Sequence, residues 1–454
     1  MKKAYPIEIA EGRGIEFLYP SELGNLGGLQ RIFYGHYSCE ADIKPNPSVR
    51  QSVIISASLA DALHFKETNH RVHLFIYKGN IHVGPLVGIF TSGITPFMHK
   101  PVGERSFFFS KILSMNKKTG CIPFLFSEHQ INWDEEVIRG YIVRDNQWEV
   151  REFPFPDVIY DRLPNRKTEN RTVLKEVKRR FQEEFTIPWY NPGFFNKWDI
   201  YERLQDDESA LPYLPESYPF QSFSTIEKML AKYRQVYIKP VHGSLGLGIH
   251  QIIYNRNEDM YYIRFRDELK ENKLQKFRSL ESMFSHVFRA KKLRNLIVQQ
   301  GISLLRHENR PIDFRVHTNK DINGDWQVTA IAAKVAGEGS VTTHVKNGGI
   351  IKTLDELFDE EKLAEIQYSL SYAALRLSES IEQNVEGIIA EIGFDLGIDK
   401  DGQVWMFEAN SKPGRSIFSH PKLKEFEILT RKLCLDYAVF VAEQSIIGSS
   451  GNYE

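Results

Sequence analysis

The feature that most limits how this chain can fold is an apolar strand that ends in a lysine and enters a glycine-rich loop. Residues 236–240 read Val-Tyr-Ile-Lys-Pro, and three glycines follow at Gly243, Gly246 and Gly248. Glycine lets backbone N–H groups approach an anion closely, and a run of such amides forms an anion-binding nest. The pattern therefore predicts a phosphate loop with Lys239 at its base. Taken alone, the three glycines fit a plain hairpin turn equally well.

A hairpin of two apolar strands is predicted over residues 391–410, joined by a turn that contains Lys-Asp-Gly. Glu408 and Asn410 are two residues apart on the second strand and face the same side, and Asp395 is expected near them across the hairpin. Two carboxylates and an amide oxygen suit Mg²⁺, and phosphate oxygens would complete its coordination shell. An exposed polar face is the alternative, but the flanking aromatic residues indicate a buried sheet, where unpaired carboxylates are costly.

Arg315 lies on a third strand pattern, in the run Pro-Ile-Asp-Phe-Arg-Val-His-Thr from Pro311 to Thr318. An arginine that points inward from such a strand needs an anion, and its planar guanidinium matches phosphate well. A surface salt bridge is an equally good explanation of this segment alone.

Length and charge restrict the function classes. The chain has 454 residues, enough for roughly two to four domains, and its formal charge is -1. That balance creates no overall field that would attract nucleic acid or a membrane surface. The basic segment from Lys273 to Arg294 is interpreted as the solvated face of a helix, because apolar residues at helical spacing supply a buried side.

The cysteines and the N-terminus indicate the compartment. Cys39, Cys121 and Cys434 form no Cys-x-x-Cys pair, which excludes a zinc ribbon and favours a reducing interior. The first residues lack the apolar region of a signal peptide, and polar residues interrupt the most apolar stretch, 72–97. We therefore expect a cytoplasmic protein with no nucleic-acid partner and no membrane partner.

Strand and helix patterns divide the chain before the lysine strand. Residues 1–80 carry short apolar runs with frequent Gly and Pro, and are predicted to form a small β-rich module. Residues 81–190 alternate strand-like and helix-like patterns, which is typical of an α/β domain, and Val173–Phe185 reads as an amphipathic helix. Two later helices are predicted, one from a capping box that starts at Ser224 and one from Glu361 to Gln383.

The order of these patterns resembles the ATP-grasp superfamily: a strand lysine, a glycine-rich loop, an Asp-Phe-Arg strand, and an Asp followed by Glu-x-Asn. The spacing from Asp395 to Glu408 is similar to that in D-alanine ligases. The resemblance covers residues 191–445 and implies an α/β protein with α+β lobes, an ATP-grasp fold in which residues 220–300 form a lid lobe. A pre-ATP-grasp α/β domain and the N-terminal module precede it, and residues 446–454 form a tail.

The resemblance also assigns roles to individual residues. Lys197 resembles the first ATP lysine of the family, and Val298 and Ile302 would sandwich the adenine. The full set implied to contact ATP is Lys197, Lys239, Gly243, Ser244, Gly246, Gly248, Val298, Gln299, Gln300 and Ile302. The metal ligands, for Mg²⁺ or for Mn²⁺ in its place, would be Asp395, Glu408 and Asn410. The catalytic residues would be Arg315, Lys334 and Arg415, with Lys412 as a further contact.

A closer resemblance is to the YheC/YheD-type endospore coat-associated ATP-grasp family. It rests on three runs: Asp-Val-Ile-Tyr-Asp-Arg-Leu-Pro-Asn-Arg at 157–166, Leu-Pro-Glu-Ser at 214–217, and Phe-Glu-Ala-Asn-Ser-Lys-Pro-Gly-Arg at 407–415. The length and the extra N-terminal module are more similar to the YheD branch. The resemblance implies a link to sporulation, with spore-coat proteins as partners, in the mother cell or at the forespore surface.

The implied activity is that of an ATP-dependent carboxylate–amine or carboxylate–thiol ligase. A substrate carboxylate would attack the γ-phosphate to give an acyl phosphate, and a nucleophile would then displace phosphate. One alternative is an ATP-grasp kinase, which leaves the phosphate on its product. Another is a spore-coat structural protein that binds ATP without turnover. The sequence identifies neither the carboxylate nor the nucleophile.

Overall fold

The fold comes from a computed structural model, in which the strands form four sheets that follow one another along the chain. The described residues are 3–11, 14–48, 51–67, 70–241, 248–267, 271–288, 295–344 and 347–448. No helix in these ranges combines the length and the hydropathy that crossing a membrane requires.

The first sheet has eight strands in the order β4-β3-β8-β7-β1-β6-β2-β5. They are β1 (Tyr5–Ala10), β2 (Glu16–Pro20), β3 (Arg31–Tyr34), β4 (Tyr37–Glu40), β5 (Asp42–Asn46), β6 (Val53–Ser56), β7 (His70–Tyr77) and β8 (Asn80–Gly84), with a short helix α1 (Ala57–Ala62). The N-terminal part of the chain is thus β-rich, as its frequent turns predict.

The second sheet has the order β11-β12-β10-β9-β14-β15, with β13 paired to β12. Its strands are β9 (Leu86–Phe90), β10 (Ile122–Phe126), β11 (Ile131–Asn132), β12 (Val137–Arg144), β13 (Gln147–Pro154), β14 (Val158–Asp161) and β15 (Trp189–Tyr190). Four of them, β9, β10, β14 and β15, run parallel. Their central members are apolar throughout because a parallel sheet is covered on both faces.

The helices around this sheet are α2 (Ser106–Leu113), α3 (Asn116–Thr119), α4 (Arg166–Glu169) and α5 (Thr172–Arg179). The helix predicted over 173–185 is α5 followed by a π-helical turn, Arg180–Glu184. One continuous hydrophobic core joins the first two sheets, and it includes Phe17 and Ile32 from the first and Phe126 and Trp189 from the second. The two sheets therefore stabilise each other.

The third sheet is antiparallel, in the order β16-β21-β17-β18-β19-β20. Helix α6 (Lys197–Leu204) precedes it, and its elements are β16 (Ser217–Pro219), α7 (Phe223–Tyr233), β17 (Gln235–Pro240), β18 (His250–Asn255), β19 (Met260–Arg266), β20 (Asn272–Phe277), α8 (Leu280–Val287) and β21 (Leu296–Gln300). Helices α7 and α8 cover its apolar face, with Ile226, Met229 and Phe284 in the core.

Two predictions are wrong in this region. Helix α7 begins at Phe223, with Ser222 as its N-cap and no capping hydrogen bond from that side chain, so Ser224 does not start a capping box. The basic segment 273–294 is not a single helix, because its first residues form strand β20 before α8 begins. Its residues 289–294 lie outside the described ranges.

The fourth sheet has the order β25-β24-β23-β26-β27, with β22 paired to β23. Its strands are β22 (Arg306–His307), β23 (Arg310–Lys320), β24 (Trp326–Val335), β25 (Ile350–Lys352), β26 (Glu391–Ile398) and β27 (Val404–Asn410), and its helices are α9 (Glu360–Asn384) and α10 (Lys424–Gly448). The predicted hairpin is the antiparallel pair β26–β27. Helix α9 matches the predicted helix to within one residue at each end, and the side chain of Asp359 caps its start.

Candidate functional site

The fourth sheet has one apolar face and one polar face. Phe314 and Val316 on β23, and Ile392 and Phe394 on β26, are fully buried in the core that α9 covers. Because side chains alternate along a strand, the intervening residues, Arg315 among them, point to the opposite side. The polar face therefore collects charged residues that the sequence predicts as functional.

Arg315 and Asp395 are opposite each other on β23 and β26. Nε of the guanidinium lies 2.9 Å from Oδ1 of the carboxylate, and Nη2 lies 3.1 Å from Oδ2. Lys334 on β24 places Nζ 2.8 Å from Oδ1 of Asp395 and 2.9 Å from Oδ1 of Asp313. Two cations and two carboxylates thus form a closed cluster on the polar face, which we call the charge cluster.

Pairing sets the ionisation of the charge cluster. Burial alone would raise the pKa of Asp395, but Arg315 and Lys334 outweigh burial and hold that pKa below its ordinary range. Burial also opposes the charged forms of Arg315 and Lys334, yet the neighbouring carboxylates raise the pKa of both. These three side chains therefore stay ionised at neutral pH.

The predicted metal ligands share this face. Glu408 is opposite Asp395 in the hairpin, and Asn410 is opposite Gly393. Oε2 of Glu408 lies 3.0 Å from Nζ of Lys197. Within the described ranges, no three His, Cys, Asp or Glu side chains converge on a position for a metal ion. The chemistry of two carboxylates and an amide still fits Mg²⁺, provided that phosphate oxygens fill the remaining positions.

A cleft lies between the third and fourth sheets, bounded also by helix α6. Its lining residues are Lys197, Trp198, Ile200, Tyr201, Ser217, Lys239, Ile297, Gln299, Met406, Phe407, Glu408 and Ala409. Two lysines and a carboxylate thus face apolar and aromatic walls. Such a cleft suits a ligand with one strongly anionic end and a flat, weakly polar remainder.

Lys239 is a buried cation that lacks a carboxylate partner in the described part of the chain. Its Nζ donates to Oε1 of Gln299 at 2.8 Å and to the backbone oxygen of Phe407 at 3.4 Å. Burial, and to a smaller extent the charge of Lys197, lower the pKa of Lys239 to about 7, against the opposing effect of Glu408. An anion in the cleft would restore the charge of this lysine.

Strand β21 presents a different face to the cleft from the one that the sequence predicts. Ile297 and Gln299 line the cleft, whereas Val298 is fully buried in the core with α7 and α8. The prediction that Val298 sandwiches a base is therefore wrong, because side chains alternate along a strand and that of Val298 points away from the cleft. Gln300 accepts a hydrogen bond from the backbone N–H of Glu216 at 3.1 Å, and neither it nor the buried Ile302 lines the cleft.

The glycine-rich loop is described only at its ends. Gly248 has a positive φ of 74°, which glycine adopts without strain, and a Cβ there would lie 3.1 Å from the ring of Pro240. The end of the loop thus returns close to the end of β17. Gly243, Ser244 and Gly246 lie outside the described residues.

The structure separates Arg415 from the charge cluster. Its Nη2 lies 3.1 Å from Oε1 of Glu391, and its Nη1 donates to Oγ1 of Thr430 at 2.6 Å. Lys412 pairs with Asp161, the last residue of β14, with 2.6 Å between Nζ and Oδ1. These two cations thus contact groups at the junction with the second sheet rather than Arg315 and Lys334.

Among the residues that line the cleft, sequence reasoning missed the hydrogen-bonded and stacked group of Trp198, Tyr201 and Ser217. The hydroxyl of Tyr201 accepts a hydrogen bond from the backbone N–H of Ser217 at 3.1 Å, and Nε2 of Gln299 donates to Oγ of Ser217 at 2.9 Å. Trp198 stacks on Tyr201, with 5.3 Å between ring centroids. The signal was available, since Tyr201 follows Lys197 by four residues and Trp198 by three, and both spacings put side chains on one face of a helix.

The protein has an antiparallel sheet that carries a cleft-facing lysine. This sheet lies against a second sheet whose polar face carries Arg, Lys, Asp, Glu and Asn. The two sheets together define an ATP-grasp fold. The family described as YheC/D like ATP-grasp matches residues 186–441, and the chain belongs to this family.

Relatives agree with the family. Endospore coat-associated protein YheD of Bacillus subtilis (strain 168) is 40% identical over 420 residues, which are 92% of this chain and 92% of that protein. Endospore coat-associated protein YheC of the same organism is 23% identical over 278 residues, 61% of this chain and 75% of that protein. The predicted family, and the closer likeness to the YheD branch, are confirmed.

A solved structure with a similar chain path is D-alanyl-alanine synthetase A from Vibrio cholerae. It has a TM-score of 0.41 and 13% sequence identity, and the match covers 77% of this chain and 97% of that one.

Proposed function

We propose that the protein binds Mg-ATP in the cleft between the third and fourth sheets and uses it to activate a substrate carboxylate. One observation carries the proposal: Lys239 is buried in this cleft with only neutral hydrogen-bond partners among the described residues. A buried cation of this kind is costly unless an anion joins it. A nucleotide triphosphate supplies that anion together with a flat base for the apolar walls.

The lining residues suggest how the nucleotide is held. Lys239 and Lys197 would contact phosphate oxygens, where charge-assisted hydrogen bonds are strong. Gln299 and Ile297 would face the base, which revises the predicted roles of Val298 and Ile302. Arg315 and Lys334 lie on the polar face beyond Glu408 and would stabilise charge on the transferred phosphoryl group.

The metal would sit among Asp395, Glu408 and Asn410. Mg²⁺, when bound there with the phosphates, neutralises phosphate charge and orients the terminal phosphate for attack. This proposal is supported by the position of the three side chains on one face of the hairpin. The carboxylate of Glu408 pairs with Lys197 among the described residues and still has lone pairs that can bind a metal ion.

The proposed reaction has two displacements. An oxygen of the substrate carboxylate attacks the γ-phosphorus, the bond to the β–γ bridging oxygen breaks, and ADP leaves with an acyl phosphate formed. An amine or thiol then attacks the acyl carbon, loses its proton, and releases inorganic phosphate. The residues of this chain contribute mainly positioning and charge neutralisation.

The units predicted from the sequence remain our proposal for the domains: 1–80, 81–190 and 191–445, with 220–300 as the lid lobe and 446–454 as the tail. The four sheets support this division, because each lies almost entirely within one of these ranges. Strand β8 extends to Gly84, so we place the first boundary at the following proline.

We also propose that the protein acts at the spore coat during sporulation. The support is the description of both relatives as endospore coat-associated. Spore-coat proteins are then the expected macromolecular partners.

The test of the activity is a product analysis with Mg-ATP and a panel of candidate acids, each offered with and without amines and thiols. The proposal predicts ADP and free phosphate in equal amounts, only when both substrates are present. Retention of phosphate on the acid would identify a kinase instead. Nucleotide binding with no ADP formed from any pair would favour a structural role without turnover.

A further inference from the structure

A second polar cluster lies where the second and fourth sheets meet, outside the cleft. It contains Arg105 before helix α2, Arg162 after β14, and Arg415 after β27, and we call these three the arginine cluster. Arg162 and Arg415 approach one carboxylate, that of Glu391 at the start of β26, which is fully buried, and Arg105 lies near Arg162. Three chain segments that are far apart in sequence thus bring guanidinium groups together.

Two of the arginines share the one carboxylate. Nη1 of Arg162 lies 3.2 Å from Oε2 of Glu391, and Nη2 of Arg415 lies 3.1 Å from Oε1. The ring of Phe108 contacts both guanidinium groups, at 5.0 Å from Cζ of Arg162 and 5.2 Å from Cζ of Arg415. The two cations are therefore held against one aromatic ring.

Arg105 adds a third positive charge without an acid. Its Nη1 donates to Oγ1 of Thr91 at 2.8 Å, and its Nη2 donates to the backbone oxygen of Ser92 at 2.6 Å. Burial and the nearby charge of Arg162 lower its pKa, and no carboxylate of the described residues opposes that shift. Among the described residues, Glu391 is therefore the one carboxylate that pairs with any of these three cations.

The neighbouring groups do not balance this excess. Burial raises the pKa of Tyr160 well above its ordinary value and that of Cys434 to about 12, so both stay neutral. Arg431 is nearby, but it pairs with Glu427. Elsewhere at the same junction, Lys412 and Asp161 pair one to one. A purely structural ion pair would need only one arginine.

Unused hydrogen-bonding groups connect the arginine cluster to the charge cluster. Nε of Arg415 is buried with no partner in the described residues, and so are both ring nitrogens of His317. His317 follows Arg315 by two residues on β23 and therefore shares the polar face. It is opposite Gly393, midway between Asp395 and Glu391 on β26, which places it between the two clusters. Burial and the charges of Arg315 and Arg415 lower its pKa.

The geometry points to an anion subsite: the arginine cluster binds a second carboxylate of the substrate whose first carboxylate is activated at the charge cluster. This inference rests on the proposed function. Nη1 of Arg315 lies beside Gly393, 3.3 Å from the position of a Cβ there, and Glu391 is two residues further along β26, about 7 Å. The two anionic groups of the substrate are therefore a few bonds apart. The substrate class is a compact dicarboxylic acid or acidic amino acid, because a guanidinium fork matches a carboxylate.

The test is a set of calorimetric titrations with acids that differ only in the second charge, in the presence of Mg²⁺ and a non-hydrolysable ATP analogue. L-glutamate is compared with L-glutamine, and L-aspartate with L-asparagine, because each pair has nearly the same size. We expect the diacid of at least one pair to bind about tenfold more tightly than its amide.

Arg105→Gln is the decisive variant, because it removes a cation without leaving a buried carboxylate unpaired. It should weaken diacid binding by about tenfold while the amide and the ATP analogue bind as before. Arg415→Lys, which keeps a charge beside Glu391 but loses the fork, should act in the same direction. Arg376→Gln is the matched control, since Arg376 is exposed on α9 and pairs with Glu379.

The outcomes separate this inference from the proposed function. Equal binding of diacid and amide by the unmodified protein, or an unchanged preference in Arg105→Gln, would overturn the anion subsite even if the nucleotide binds. Failure of the ATP analogue to bind would contradict the proposed function instead. The acid titrations, repeated without nucleotide, would then still report on the arginine cluster.

Discussion

Lys239 and Gln299 lie on the paired strands β17 and β21 and face the cleft together, with Nζ of the lysine 2.8 Å from Oε1 of the amide. A neutral amide satisfies one donor of the ammonium group but does not balance its charge. Burial of this ammonium group without a carboxylate partner among the described residues is therefore costly. The assignment of the cleft as a nucleotide site depends on this imbalance of charge.

The first prediction concerns pH. In the free protein the pKa of Lys239 is about 7, lowered by burial, so at pH 8 most molecules carry a neutral lysine. Bound phosphate favours the charged form and raises the pKa, so nucleotide binding takes up a proton. Affinity should then fall as pH rises above about 7, by up to about tenfold per pH unit.

Calorimetry at pH 8 in Hepes and in Tris measures this proton uptake directly, because the two buffers differ in ionisation enthalpy. We expect close to one proton per nucleotide, and none in Lys239→Met. Binding with equal heats in both buffers would mean that Lys239 does not change its charge, and the phosphate assignment would be wrong.

The second prediction concerns the charge cluster. Asp395→Ala leaves Arg315 without its bidentate partner and Lys334 with only Asp313, and removing one member of a buried ion pair costs about 3–5 kcal/mol. Urea denaturation should show this loss in the free energy of unfolding. Glu379→Ala, which breaks an exposed pair with Arg376 on α9, should cost less than about 1 kcal/mol. Similar losses in both variants would contradict the burial of the charge cluster.

The third prediction uses Trp198, which lines the cleft and stacks on Tyr201. A nucleotide base that enters the cleft changes the polarity around this indole, so the intrinsic fluorescence should change in a saturable way. The chain has six tryptophans, and Trp198→Phe should remove the change while nucleotide binding by calorimetry persists. A signal of the same size in Trp198→Phe would place the nucleotide elsewhere.

The elements that could be predicted from the sequence are those with strong local patterns. The hairpin β26–β27 follows from alternation and a Gly-containing turn, and helix α9 follows from apolar residues at helical spacing. Local order also sufficed to group Asp395, Glu408 and Asn410. Contacts between residues that are far apart in the sequence could not be predicted. Glu391 pairs with Arg162, which lies in another sheet, and nothing in the sequence near either residue indicates this ion pair.

The sequence did not predict correctly which face of strand β21 lines the cleft. In the run 296–300 all residues are apolar or amide, so alternation gives no contrast between the two sides. Only the packing of α7 and α8 decides that Val298 enters the core and Gln299 the cleft. The ion pair between Arg415 and Glu391 could not be predicted either, because it depends on the path that the chain takes after β27.

The fourth prediction concerns the glycine-rich loop. If its backbone amides bind phosphate, Mg-ATP should slow hydrogen exchange across residues 242–249 far more than in α9. Gly246→Val should remove most of that protection, because a β-branched side chain resists positive φ and blocks close approach of the backbone. Equal hydrogen exchange with and without nucleotide would mean that the loop is only a structural turn and does not bind phosphate.

The most direct test of the central claim is a calorimetric titration of the protein with Mg²⁺ and a non-hydrolysable ATP analogue. The account predicts one saturable site, and Lys239→Ala should weaken it by at least about tenfold, or ~1.4 kcal/mol. Lys228→Ala, on the exposed side of α7 in the same sheet unit, should bind like the unmodified protein. No saturable binding, or equal affinity in Lys239→Ala, would contradict the claim that ATP occupies this cleft.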